Sequence, residues 1–73
     1  MRYAKIEIKK LPDRNIANRR LVHDGYVMIN EKDISGILTG SFEDAVESLG
    51  GTVLTSHEAK VELSKNTYKW HNK

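Results

Sequence analysis

The chain has 73 residues, a formal net charge of +2 and no cysteine, which bounds it to a single domain with a thin core and excludes disulfide staples and thiolate metal sites. A deep substrate cleft is not expected at this size, because apolar burial at roughly 25 cal/mol per Å² barely exceeds the conformational entropy lost on folding. The small net charge conceals sorting along the chain: residues 1–20 carry seven basic side chains against two acidic, residues 21–58 one against seven, and residues 59–73 four against one.

The first element is read from alternation. Ala4, Ile6 and Ile8 fall on one side of residues 3–9, and Tyr3, Lys5, Glu7 and Lys9 on the other, as in a half-buried strand with a charged outer face. Leu11-Pro12-Asp13 stops it, since proline donates nothing to a sheet ladder. Residues 14–18 have little periodicity and read as a loop. Leu21-Val22-His23, Asp24-Gly25 and Tyr26-Val27-Met28-Ile29 read as a hairpin around a type I′ turn, with one bulged strand at Gly25 as the alternative.

Residues 31–38 space Ile34, Ile37 and Leu38 as a helix would, with Asn30 as cap and Asp33 at the third position. Gly36 weakens that segment by about 1 kcal/mol relative to alanine, so one or two turns are expected. Residues 41–49 are better patterned. Phe42, Ala45, Val46 and Leu49 share one helical face, Ser41 and Asp44 resemble a capping box, and Gly50-Gly51 ends the helix. Residues 52–56 are β-rich, and Ala59, Val61 and Leu63 alternate with Lys60, Glu62 and Ser64, which predicts two strands, or one interrupted near His57. The expected fold class is α+β: a small antiparallel sheet with one amphipathic helix packed on one face. Residues 1–65 form the expected domain, and residues 66–73 a polar, loose or disordered tail.

Chemistry-bearing motifs are absent. His23, His57 and His71 have neither His-x-x-x-His nor Glu-x-x-His spacing, no phosphate loop or nucleophile elbow occurs, and the histidines read as solvated or strand-flanking. Glu43, Asp44 and Glu47 suit the positive end of a helix dipole and read as a solvated face. No catalytic residue, metal site or cofactor is expected. No apolar run approaches the roughly 18 residues that span a bilayer, and the opening residues are charged too often for a signal peptide, so a soluble intracellular protein without a membrane partner is expected.

Binding is the better hypothesis. Lys5 and Lys9 share the outer face of the first strand, and with Lys10, Arg14, Arg19 and Arg20 they are expected to form one cationic docking face for phosphates or an acidic protein surface. The alternative is that lysines on an edge strand only block edge-to-edge pairing. Tyr68 and Trp70, set in a basic tail, are either interface anchors and stacking platforms or a lid folded over the core.

With its basic first strand, its Asp24-Gly25 hairpin and its helix from Ser41 to Gly51 within 73 residues, the chain resembles the small RNA polymerase-binding transcription regulators of lytic Xanthomonas phages. The likeness lies in length, layout and charge blocks. It implies a non-enzymatic protein of the host cytoplasm that binds the two large polymerase subunits, beta and beta prime. Such a protein inhibits initiation by displacing the sigma factor and lets elongating polymerase read through terminators. It transfers no contact residues one by one. The alternative from the residues alone is a small nucleic-acid-binding protein using the same basic patch; oligomeric state is not legible.

Overall fold

A computed structural model describes residues 1–37 and 40–71. The alternating segment forms β1 (Tyr3–Glu7), but it ends two residues early. The last ladder pair is Glu7 with Tyr26, the Ile8 amide then donates to the Gly25 carbonyl at 2.9 Å, and the chain tightens into a 3-10 turn over Ile8–Lys10. Lys9 therefore leaves the strand and does not share a face with Lys5. Leu11, buried before Pro12, ties the turn down. The expected loop at 14–18 is a second 3-10 turn, Arg14–Ala17, because Asp13 Oδ1 accepts from the Asn15 amide at 2.9 Å and the small Ala17 is fully buried.

The hairpin forms as two strands, β2 (Leu21–His23) and β3 (Tyr26–Asn30), joined by Asp24 and Gly25 at φ 50° and 80°, the signs a type I′ turn requires. At the far end of β3 the Asn30 side chain accepts from the Asp33 amide at 2.8 Å and opens α1 (Glu31–Ile37). The expected helical position Leu38 lies outside the described residues. Ser41 caps α2 (Phe42–Ser48) through the Asp44 amide, and Gly50, at φ 68°, closes it with a bond to the Glu47 carbonyl. Gly51 is needed for space: a Cβ there would lie 2.7 Å from Ile6 Cγ1 and 3.1 Å from Val46 Cγ1.

Only β4 (Thr52–Leu54) of the expected second strand region is extended. Residues 56–65 form α3 (Ser56–Lys65) instead of a strand. Thr55 and Glu58 make a complete capping box at its start, and those reciprocal bonds to two orphan N–H groups override the short β-like alternation of Ala59, Val61 and Leu63. Residues 69–70 are not a loose tail either. They form β5 (Lys69–Trp70), which pairs with β2 and is strapped by two 2.8 Å bonds, Arg19 amide to His71 carbonyl and His71 amide to Arg20 carbonyl.

Among the described residues five strands form one antiparallel sheet, in the order β4-β1-β3-β2-β5. Register puts Ala4, Ile6, Val27 and Ile29 on one face, where they pack with Ile34 of α1 and with Phe42, Ala45 and Val46 of α2. The opposite face carries Tyr3, Lys5, Met28, Leu21 and Trp70. The class is the expected α+β, but among the described residues there are three α-helices, and α3 lies across that second face with Ala59 buried against it.

Candidate functional site

Most of the basic head is spent inside the molecule. The Lys5 ammonium lies 2.8 Å from Glu62 of α3 and 4.9 Å from the centre of the Tyr26 ring. β1 is an interior strand between β3 and β4, so Lys5 guards no edge. Lys9 and Lys10 stand on either side of Glu7 at 3.4 and 3.6 Å. Arg20 Nη1 reaches Asp33 at 3.0 Å. Arg2, which the sequence did not single out, forks to Glu31 and Glu43 and lies 5.0 Å from the Phe42 ring centre. The more exposed of these pairs, those of Arg2, Lys9 and Lys10, contribute little stability. Arg2 and Arg20 pair with acids of the middle block, Lys9 and Lys10 with Glu7 of the head itself and Lys5 with Glu62 of the tail, so the six expected residues do not stand together as one unpaired cationic face. Arg14 and Arg19 are exposed and carry no ion pair among the described residues.

The two aromatics of residues 66–73 separate in role. Tyr68 is structural: its hydroxyl donates to Glu62 at 2.8 Å, and its ring sits 5.2 Å from that of His23. Burial, followed by the bond to the Glu62 carboxylate, pushes the Tyr68 phenol well above its ordinary value. Glu62 also takes Lys5 and an Asn66 amide donor, and these donors, Lys5 first, hold its carboxyl below the usual range. Trp70 has no such anchor. It remains 59% exposed opposite Leu21 on the outer edge strand, and does not fold over the core.

The strap between residues 19–20 and 71 joins the cationic head to the cationic tail. It gathers Arg19, Arg20, Lys69 and Trp70 along the β2–β5 edge, which block charge alone did not indicate. Two shallow grooves flank it. One, of about 560 Å³, is bordered by Lys9, Arg14, Asn15, Asn18 and His71, with Glu7 and Asp24 opposing them. The other, of about 450 Å³, runs between α3 and the outer sheet face. Its floor is Tyr3, Leu21 and Met28, and its wall is the stripe Ser56, Ala59, Lys60 and Leu63. Lys60 and Leu63 were missed in the sequence because their segment read as a strand; the Thr55 to Glu58 spacing was the signal that would have placed them on one helical face.

Among the described residues no three histidine or acidic side chains converge to hold a metal ion, and no helix is long and apolar enough to cross a membrane. No protein-family model, curated protein or solved structure matches this chain.

Proposed function

We propose that this chain is a non-enzymatic regulator that docks on the large subunits of a host RNA polymerase through its β2–β5 edge. In this reading it inhibits initiation by displacing the sigma factor and promotes terminator read-through, the activities implied by the resemblance to the phage regulators. The observation that carries the docking part is Trp70, 59% exposed on a strand edge, with Arg19 held next to it by the backbone bond to His71. Exposed tryptophan beside arginine is the composition of an interface anchor, and positive charge steers a small protein toward an acidic surface. The ion pairs that fix Lys5 and Arg20 favour a localised contact over long electrostatic tracking.

The test is capture of purified Xanthomonas RNA polymerase by the immobilised protein, with Trp70→Ala alongside. Wild type is expected to retain polymerase and reduce sigma-dependent initiation, and Trp70→Ala to bind roughly 30-fold more weakly, about 2 kcal/mol for loss of a central anchor. Equal retention by both would move the interface elsewhere; no retention by wild type would end the proposal.

Trp70 among cations also favours a second reading, a single-stranded nucleic-acid binder in which the indole stacks on a base. Salt separates the two. Counterion release makes oligonucleotide affinity fall steeply with log salt, whereas a mixed protein interface responds less.

A further inference from the structure

We infer that the groove between α3 and the outer sheet face is a peptide cleft that takes an extended partner segment bearing an apolar side chain next to a carboxylate. The inference rests on the docking reading above and supplies its specificity element. Three observations carry it.

The first is shape. Tyr3, Leu21 and Met28 form an apolar floor beneath a wall whose Leu63 is 38% exposed, and the volume of about 450 Å³ lies within the range of small ligand sites. Leu21 is also the ladder partner of Trp70, which puts the indole on the same sheet face but outside the residues that line the cleft. The apolar part of a bound segment thus meets Leu63 and Leu21 in the cleft.

The second is charge. Arg19, Arg20 and Lys60 border the cleft against one carboxylate, Asp33, which Arg20 already engages through Nη1. Arg20 makes no other side-chain hydrogen bond among the described residues, so its Nη2 is unspent, while its Nε is buried out of a ligand's reach. A guanidinium with unspent donors beside two further cations suits a carboxylate, which it can hold in a forked pair. Asp33 in the same cleft works against a continuous phosphodiester chain, and Tyr3 is the one aromatic lining residue, too few for successive bases to stack. An acidic, apolar peptide fits this balance better than a nucleic acid.

The third is preorganisation. Glu62 ties α3 to the sheet through Lys5 and to the strand that follows through Tyr68, both at 2.8 Å, so the wall stands in place before a partner arrives. A preformed cleft spares binding the cost of ordering that wall.

The experiment uses the whole ¹⁵N-labelled protein and three probes: an acetylated nonapeptide of alternating Asp, Leu and Phe, the same peptide with Asn for Asp, and the single-stranded oligonucleotide dT9. The acidic peptide is expected to shift the backbone resonances of Leu21, Met28, Ala59 and Leu63 saturably, with the Asn peptide at least tenfold weaker. Leu63→Glu, whose retained amide dispersion away from the cleft would show that it folds, is expected to weaken the acidic peptide at least tenfold. Arg20→Lys, which keeps the charge but loses the fork, is expected to weaken it severalfold. Shifts confined to other regions, equal binding of the Asn peptide, indifference to Leu63→Glu, or dT9 displacing the peptide from these resonances would overturn the inference. Because the peptide titration contains no polymerase, it fails or succeeds independently of the capture assay. Peptide binding without polymerase capture would remove the docking reading and leave the cleft.

Discussion

Replacing Phe42 with alanine tests whether α2 and the sheet share one core. Phe42 is 6% exposed and packs with Ile34, Ala45 and Val46 over Ile6 and Ile29. Emptying such an aromatic position costs about 3 to 5 kcal/mol. The Arg2 guanidinium, 5.0 Å from the ring centre, adds roughly 0.5 to 1 kcal/mol of cation–π attraction that is lost with the ring. A chain of 73 residues has a total stability of about 4 to 11 kcal/mol at 0.05 to 0.15 kcal/mol per residue. Phe42→Ala is therefore expected to remove between about a third of the stability and all of it. Phe42→Leu keeps most of the volume, and its loss of about 1.5 kcal/mol remains measurable. In urea, with a slope near 1 kcal/mol per M, the leucine variant should lower the midpoint by about 1.5 M. An alanine variant that loses less than about 1 kcal/mol would mean that α2 does not close this core, and the packing described above would be wrong.

Gly51→Ala should cost about 1 to 3 kcal/mol by overpacking, because the new methyl meets Ile6 and Val46 inside contact distance; an unchanged denaturation midpoint would refute the close approach. Glu31 and Glu62 are held below the usual carboxylate range by Arg2 and by Lys5 with Tyr68, so their contribution is complete above the unfolded value of about 4.3 and disappears as pH falls through the lower folded values. Melting temperature should then be level from pH 7 to 5 and drop below about 4.5, with a shallower drop in Glu62→Gln; superimposable profiles would show that Glu62 is not the group responsible. The raised Tyr68 value acts at the other end, giving stability that is present below about pH 10 and lost as pH rises further, and absorbance at 295 nm should show one of the three tyrosines ionising after a free phenol would. Trp70→Ala should leave the melting temperature within about 4 °C while weakening polymerase capture, since an exposed edge side chain contributes little to a core; a larger cooperative loss of stability would make Trp70 structural.

The local determinants of this fold lie within a few residues of one another, and these the sequence determined by itself. The Asp24-Gly25 turn, the Asn30 and Ser41 caps and the α2 stripe of Phe42, Ala45 and Val46 each follow from side chains at most four positions apart. α3 was decided locally too, by the Thr55 and Glu58 capping box, but a three-residue apolar alternation masked it, because Ala59, Val61 and Leu63 fit a strand's period as readily as a helix's edge. The fate of the charges was decided only in three dimensions. Lys5 and Glu62 are 57 residues apart, and Arg2 and Glu31 are 29 apart, and no spacing rule joins them. Tertiary packing converted a sequence of charged blocks into paired surface and brought Arg19 and Arg20 beside Trp70. Block charge is a sum over positions, whereas a docking face depends on which of those charges remain unpaired and on the same side once the sheet has closed.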